Sequence, residues 1–353
     1  MKKNELILSV RDLNIKFNLR GKILHAIRGI DLDVYHGEVL AIVGESGSGK
    51  SVFTKSFMGL LDSNGSITSG TIDYFGADDH QPIRLSELKK EKDWLKVRGH
   101  EIAMIMQDPM TSLNPLKTIG DQIMEAVELH QGLKGAAARE KTLEYLRDVG
   151  IADPEVRFKQ YPHEFSGGMR QRVVIAIAVA CNPQILICDE PTTALDVTIQ
   201  AQILELMKEL QKKTHMGIIF ITHNLGVVAE ICDKVSVMYA GKIVEQGPVD
   251  DIFYKPGHPY TVGLLRSMPR VDAESYERLI PIEGTPVDML NPPEGCPFAP
   301  RCEHAMKICL QKMPPYVELG EGHRSACWLR VQDQLDKAGQ EKPVQDQEVS
   351  GRE

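Results

Sequence analysis

The chain has 353 residues, 42% of them hydrophobic and 25% charged, a globular composition that excludes a disordered or collagen-like protein. Its formal net charge of −8 disfavours broad electrostatic binding to nucleic acid, so no nucleic-acid partner is expected. The longest near-continuous apolar run, Val173 to Cys181, has nine residues, whereas a membrane-spanning helix needs about 20. The N-terminus has no long apolar core, so the sequence predicts no secretory signal and a cytosolic chain.

In chain order, the sequence predicts strands, a helical block and further strands. Apolar and polar residues alternate from residue 5 to about 40, the period of half-buried strands. A continuous apolar run at 39–43 predicts a strand buried on both faces. Helical spacing begins at Ile119, and buried-strand patterns return at 185–188 and 218–222. Strands separated by helices indicate an α/β domain with a largely parallel sheet.

A glycine-rich loop follows the run at 39–43 and precedes a helical pattern. It fits G-x-x-x-x-G-K-[ST], whose backbone N–H groups turn inward toward phosphate oxygens. In this motif Lys50 places its charge between the β- and γ-phosphates of a nucleotide, and Ser51 offers its hydroxyl to Mg²⁺. The strand–loop–helix context disfavours the alternative of a Gly/Ser-rich surface loop. The predicted phosphate-binding residues are Gly44, Glu45, Ser46, Gly47, Ser48, Gly49, Lys50 and Ser51.

Two carboxylates follow the buried-strand pattern at 185–188. Asp189 is placed to hold the Mg²⁺ shell, and Glu190, one residue on, to polarise water. A helix N-cap would explain a single acid at such a strand end. The pair, in a chain with a phosphate loop, favours a nucleotide site.

A second helix start with anion-binding character lies at Ser166-Gly167-Gly168, directly before an apolar helix. Alone, this pattern would be interpreted as an N-cap. One nucleotide needs only one anion-binding helix start, so the second one needs another explanation. With this motif the sequence resembles the ATP-binding cassette (ABC) transporter ATPases, in which the signature loop closes on the γ-phosphate of ATP held by the other subunit. Met169 stands where glutamine is commoner, but the serine and both glycines are intact.

The resemblance covers residues 5 to about 255 and implies further site residues. Gln107 matches the glutamine that senses Mg²⁺, water and the membrane partner. Asp196 matches the D-loop aspartate that crosses the dimer interface, and His223 the histidine that contacts the γ-phosphate. Phe17 is the best match to the aromatic residue that stacks on adenine. Outside such a set, Gln107 and Asp196 would be interpreted as turn residues and His223 as an ordinary surface or core histidine.

The resemblance also implies a fold. It is a P-loop NTPase nucleotide-binding domain, an α/β RecA-like core with an antiparallel β subdomain and an inserted helical subdomain. We expect this domain at 1–255, with the helical subdomain at about 108–180. A small cysteine-containing extension is expected at 256–330, and the polar composition of 331–353 predicts a disordered tail.

Three segments of the extension indicate one branch of the ABC transporter ATPases. Residues 256–261, 281–286 and 295–302 resemble the extension of oligopeptide and dipeptide importer ATPases, with nickel-importer ATPases as close relatives. This implies an ATP-hydrolysing subunit at the cytoplasmic face of the membrane that energises peptide uptake. The implied partners are two integral membrane permease subunits, a second homologous ATPase (or a copy of itself) and an extracytoplasmic peptide-binding protein.

Other functions remain as alternatives. A nickel or other small-solute importer would share most of these motifs. A soluble ABC ATPase for DNA repair would carry a long coiled-coil insertion, and a ribosome-associated one usually two cassettes, whereas this chain has one phosphate loop. A non-hydrolysing regulator usually lacks the base that Glu190 provides.

Four cysteines gather in the proline-rich extension: Cys296, Cys302, Cys309 and Cys327, separated by five, six and 17 residues. Such a segment buries little apolar surface, so it needs a covalent cross-link or a bound metal to stabilise its fold. Disulfides are disfavoured in the cytosol, and the short spacing usual for structural zinc is missing. Unligated buried thiols, a structural zinc site and an iron–sulfur cluster all remain chemically possible. Some peptide-importer ATPases carry a [4Fe–4S] cluster on cysteines of this extension, so the resemblance implies that cluster, with zinc second.

Overall fold

The structure is a computed structural model that describes residues 5–76, 81–193, 195–268 and 281–340. Its strands form two sheets. The strands are β1 (Leu6–Leu19), β2 (Lys22–Tyr35), β3 (Val39–Val43), β4 (Gly65–Tyr74), β5 (Ile83–Arg84), β6 (Ile102–Ile105), β7 (Ile185–Asp189), β8 (Gly217–Thr222), β9 (Lys234–Tyr239), β10 (Lys242–Pro248), β11 (Val317–Gly320) and β12 (His323–Ser325).

The helices surround these sheets. They are α1 (Lys50–Ser56), α2 (Glu91–Trp94), α3 (Pro109–Ser112), α4 (Ile119–Gln131), α5 (Gly135–Asp148), α6 (Pro154–Arg157), α7 (Gly167–Ala180), α8 (Val197–Thr214), α9 (Leu225–Ile231), α10 (Val249–Tyr254), α11 (Pro259–Arg266), α12 (Lys307–Gln311) and α13 (Trp328–Gln340). Within the described ranges, no helix combines the length and apolar character needed to cross a bilayer.

The smaller sheet is antiparallel and has the strand order β2-β1-β4-β5. The alternating pattern of residues 5 to 40 predicted its first two strands, which pair along almost their whole length. Its inner face, including Leu13, Ile15 and Ile27, is fully buried. The apolar positions of this sheet therefore pack into a core with α1 and one face of the larger sheet.

The larger sheet is mixed, with the order β11-β12-β10-β9-β3-β8-β7-β6. Its strands β9, β3, β8, β7 and β6 are parallel, as the buried-strand patterns predicted for β3, β7 and β8. Strands β10, β12 and β11 continue the sheet in antiparallel pairing. Because β12 belongs to the extension, one sheet crosses the domain boundary that was predicted near residue 255.

The helical block packs on the parallel part of this sheet. The predicted helical spacing corresponds to buried positions on α4 and α5, among them Ile119, Ile123, Leu143 and Leu146. These side chains meet α7, which is apolar nearly all round because it lies between α4 and the sheet.

The tail differs in part from the prediction of disorder. Helix α13 continues from Trp328 through Gln340, and residues 341–353 lie outside the described residues. Trp328 Nε1 donates to the Lys312 carbonyl at 2.9 Å, and Gln334 Nε2 to the Glu318 carbonyl at 3.1 Å. The composition of this segment is polar, but these contacts fix it to the extension.

Candidate nucleotide site

The predicted site residues lie at one edge of the larger sheet. Parallel strands end at the same edge, where open α/β sheets bind their ligands. The phosphate loop follows β3, and Gln107 follows β6. Asp189 ends β7 with Glu190 next in the chain, and His223 directly follows β8. The topology therefore brings together residues that are up to 179 positions apart, from Gly44 to His223.

The phosphate loop adopts a conformation that requires glycine. Gly49 has a φ of +103°, and a Cβ on it would lie 3.0 Å from the Ala26 carbonyl. Lys50 Nζ donates to the carbonyl oxygens of Gly44 at 2.8 Å and Glu45 at 3.0 Å, so the ammonium lies over the loop. Burial lowers the pKa of Lys50, while the nearby carboxylates, Glu190 foremost, oppose this shift.

Two oxygen ligands suited to Mg²⁺ lie beside the loop. Ser51 Oγ donates to Asp189 Oδ1 at 3.1 Å. Burial raises the pKa of Asp189, and the hydrogen bond from Ser51 counteracts part of that shift. Hydroxyl and carboxylate oxygens are the hard ligands that Mg²⁺ prefers, so this pair fits the ion.

Glu190 is held by three side chains. Its carboxylate accepts from Gln107 Nε2 at 3.0 Å and from Thr193 Oγ1 at 3.0 Å, and it lies 3.1 Å from His223 Nδ1. Burial raises the pKa of Glu190, but the hydrogen bonds from His223 and Thr193 and the nearby charge of Lys50 together leave that pKa below its ordinary value. Glu190 is therefore an ionised, oriented acceptor. Sequence reasoning missed Thr193, because the role of this hydroxyl depends on the turn after β7.

Among the described residues, the signature loop packs against α8 rather than against the phosphate loop. Ser166 caps α7, with its Oγ accepting from Met169 N at 3.3 Å. A Cβ on Gly168 would lie 2.6 Å from Ile199 of α8, whereas one on Gly167 would meet Leu195 at an ordinary 3.8 Å. The two glycines therefore differ in what the fold requires of them. Gly168 packs against α8 and leaves no space for a side chain, whereas Gly167 has room for one.

Two of the predicted nucleotide contacts have structural roles of their own. Asp196 is exposed and caps α8, where its Oδ1 accepts from Ile199 N at 3.0 Å. Phe17 is only 7% exposed, and its ring lies against Gly65 on the neighbouring strand β4. The roles of Asp196 across an interface and of Phe17 against adenine stay predictions.

The extension reaches the phosphate loop. Tyr260 of α11 accepts a hydrogen bond at its hydroxyl from the Glu45 amide at 2.9 Å, and Arg301 forms an ion pair with the Glu45 carboxylate. Sequence reasoning did not find either contact. Arg301 lies in a segment used only for family resemblance, and no local pattern specifies what it touches.

The four late cysteines line one small pocket, called here the cysteine pocket, together with apolar residues such as Phe298 and Trp328. All four are free thiols. Burial raises the pKa of Cys296 to about 12, and burial also raises the pKa of Cys302 and Cys327.

Backbone groups also affect the thiols of this pocket. The amide of Met306 donates to Cys309 Sγ at 3.4 Å. Backbone hydrogen bonds from Phe298, His304 and Leu329 oppose part of the rise in the pKa of Cys296, Cys302 and Cys327, respectively. No three His, Cys, Asp or Glu side chains of the described residues are grouped so as to hold a single metal ion.

Known protein families and their members match most of this chain. The ABC transporter family matches residues 27–193, and the oligopeptide/dipeptide transporter C-terminal region matches residues 244–309. The oligopeptide transport ATP-binding protein AmiE of Streptococcus pneumoniae is 52% identical over 94% of this chain and 92% of its own length. The dipeptide transport ATP-binding protein DppD of Bacillus subtilis is 53% identical over 93% of this chain and 96% of its own length. The chain belongs to the ABC transporter ATPases, in the family of oligopeptide and dipeptide transport ATP-binding proteins.

Solved structures match the cassette portion. The structure of cbiO1 from Clostridium perfringens, part of the ABC transporter complex cbiONQ, is 31% identical, covers 71% of this chain and 92% of its own, and gives a TM-score of 0.60. The ATP-binding cassette MJ0796, described as a dimer bound to ADP and Pi, gives a TM-score of 0.59 at 24% identity over 69% of this chain and 99% of its own. The second likeness shows the ABC cassette fold alone.

Proposed function

We propose that this chain binds and hydrolyses ATP to drive the import of oligopeptides or dipeptides through two separate membrane permease subunits. The names of its relatives and the match of its C-terminal region support the cargo class. The observation that carries the enzymatic part is Glu190, held by Gln107 and His223 beside Lys50 and the Ser51–Asp189 pair. A carboxylate so oriented is what attack of water on a phosphoryl group requires.

Each residue of the site has one task in this mechanism. Lys50 neutralises negative charge on the phosphates, and Ser51 and Asp189 hold Mg²⁺, which supplies further charge neutralisation when bound. Glu190 orients the attacking water and accepts its proton at a carboxylate oxygen. His223 and Gln107 fix that carboxylate and reach the γ-phosphate side of the site.

The signature loop serves a second ATPase subunit, either a homologue or another copy of this chain. Ser166 to Gly168 would complete the site whose phosphate loop belongs to the partner, and Asp196 would lie at that interface. The helical block at about 108–180 would contact the permease subunits, since Gln107 directly precedes it. The chain would act peripherally at the cytoplasmic face, with an extracytoplasmic peptide-binding protein delivering the cargo.

The test is reconstitution in vesicles of the two permease subunits, this chain and its partner ATPase, with the peptide-binding protein on the outside. We expect ATP-dependent accumulation of a labelled oligopeptide and loss of accumulation with Glu190→Gln. Accumulation of Ni²⁺ without peptide would overturn the cargo assignment. ATP hydrolysis that the membrane subunits and the peptide leave unchanged would overturn the transport role.

We further propose that the cysteine pocket of the extension, which we assign to residues 256–330, holds a [4Fe–4S] cluster on Cys296, Cys302, Cys309 and Cys327. The pocket supports this because all four thiols line it and the Met306 amide donates to Cys309 Sγ, a contact of the kind that stabilises thiolate ligands. A single zinc ion is the second candidate, because the short cysteine spacing usual for structural zinc is missing from this segment. The cluster would stabilise the fold of the extension by cross-linking its four cysteines, and it would take no part in ATP hydrolysis.

A further inference from the structure

The extension contributes a buried arginine to the phosphate loop. Arg301 Nη1 donates to Glu45 Oε2 at 2.6 Å, and Nη2 donates to Glu45 Oε1 at 3.0 Å. This is the bidentate geometry that matches a guanidinium to a carboxylate. The Arg301 side chain is 3% exposed, so water screens this pair much less than a surface pair.

The arginine is itself fixed on its other sides. Its Nε donates to the Glu283 carbonyl at 2.9 Å, its Nη2 also to the Ile282 carbonyl at 3.1 Å, and its Nη1 to the Tyr239 hydroxyl at 3.3 Å. A guanidinium is always protonated in proteins, so the contact of Arg301 with Glu45 is an ion pair. A group with these partners holds Glu45 in one place.

The charge of Glu45 explains why such a partner is needed. Glu45 is the second residue of a loop whose amides surround a triphosphate, so an uncompensated carboxylate there would repel the ligand. Arg301 offsets that charge. The Tyr260 hydroxyl separately fixes the backbone of Glu45.

We propose that Arg301 is a positioning residue for ATP binding, which holds the Glu45 carboxylate and cancels its charge beside the phosphates. This inference rests on the proposed function, because it concerns nucleotide at the phosphate loop. Arg301 directly precedes Cys302, which lines the cysteine pocket. One peptide bond and one ion pair therefore connect the cysteine pocket to the phosphate loop.

The experiment compares variants of the full chain in the assembled transporter. It measures the equilibrium affinity for a fluorescent ATP analogue, and KM and kcat for ATP. Arg301→Ala should weaken the affinity by about tenfold, because the carboxylate loses its charged partner. KM should rise by more than kcat falls, because binding is affected more than the chemical step.

A second substitution separates charge compensation from loss of structure. In the double variant Arg301→Ala/Glu45→Gln no unpaired carboxylate remains, so the affinity should return to within about threefold of wild type. Arg324→Ala is the matched control, because Arg324 also joins the extension to the cassette, through Gln246 and the Asp31 carbonyl, without touching the phosphate loop. It should leave the affinity unchanged.

Three results would overturn the role of Arg301: wild-type affinity in Arg301→Ala, an equal loss in Arg324→Ala, or no recovery in the double variant. If Arg301→Ala does not fold, Arg301→Lys replaces it, and the loss should then be smaller because the charge remains and only the planar fork is lost. If the wild type binds the analogue but hydrolyses no ATP, the proposed function fails while the affinity still decides the role of Arg301.

Discussion

Gln107 and Glu190 are hydrogen-bonded at the edge of the larger sheet, with Gln107 Nε2 3.0 Å from Glu190 Oε2. The two residues follow different strands, β6 and β7, which are neighbours in the sheet. Gln107 also opens the segment that leads into the helical block. The hydrogen bond therefore connects the end of β7 to the segment that leads into the helical block.

The first prediction concerns Glu190→Gln. The amide keeps the size of the side chain but cannot accept the proton of the attacking water, so kcat should fall by about 100-fold or more. The affinity for ATP should be retained, because Lys50 and the Ser51–Asp189 pair are untouched. Both are measured on the assembled transporter, as phosphate release and as equilibrium binding.

The matched control for that experiment is Glu205→Gln on the exposed side of α8. It removes the same charge from the chain without touching the site and should leave kcat unchanged. Undiminished turnover in Glu190→Gln would contradict the role of Glu190 as the base.

The second prediction concerns the signature loop. Gly167 begins α7 and has room for a Cβ, so Gly167→Asp should fold normally. Its added carboxylate would face the phosphates of ATP bound to the partner subunit and repel them. In a transporter with two different ATPases, this variant should impair the site formed with the partner's phosphate loop and spare the site formed with Lys50.

The two sites are told apart by placing a Lys→Ala substitution in one phosphate loop at a time and measuring the remaining turnover. Gly168→Ala is the structural comparison, because its Cβ would lie 2.6 Å from Ile199 and should lower stability. Unchanged hydrolysis at both sites in Gly167→Asp would contradict the arrangement across subunits.

A third prediction concerns pH and His36, which lies after β2, is 4% exposed and has an unpartnered Nδ1. Burial lowers the pKa of His36, and Glu5 opposes only part of that shift. As pH falls below about 6.5, the unfolded chain gains a proton at this histidine that the folded chain does not. The free energy of unfolding should therefore decrease from that pH downward, until the folded-state pKa is reached.

His36→Phe removes this titration, so its loss of stability between pH 7.5 and 5.5 should be smaller than that of the wild type. The measurement is the urea midpoint at the two pH values. His163→Phe, at an exposed histidine, is the control and should follow the wild type. An unaltered pH dependence in His36→Phe would contradict the prediction.

Much of the site was predictable because its motifs are local and each follows a strand. The pattern at 44–51, the Asp189–Glu190 pair and His223 all come after buried apolar runs, and parallel strands must end at one edge. Arg301 was not predictable in this way. Its contact with Glu45 spans 256 residues and depends on how the extension folds back beside β10, which no local pattern specifies.

The C-terminal tail shows a second limit of prediction from sequence. Composition predicted disorder from residue 331, yet α13 continues through Gln340. Within this polar segment Gln334 donates to the Glu318 carbonyl, a contact that composition does not encode. The same reasoning applies to Thr193, whose hydroxyl gains its role only from the turn that places it on Glu190.

The last prediction concerns the cysteine pocket. Its four thiols form no disulfide, and burial raises the pKa of Cys296 to about 12, so a bound cation is needed to hold Cys296 as a thiolate. Protein purified without oxygen should be brown, with about four irons and four sulfides per chain. Cys296→Ser should lose most of the iron, whereas Cys181→Ser, a buried cysteine at the end of α7 outside the pocket, should keep it. Colourless anaerobic protein with one zinc per chain would reject iron in favour of zinc, and metal-free protein with four reactive thiols would reject both.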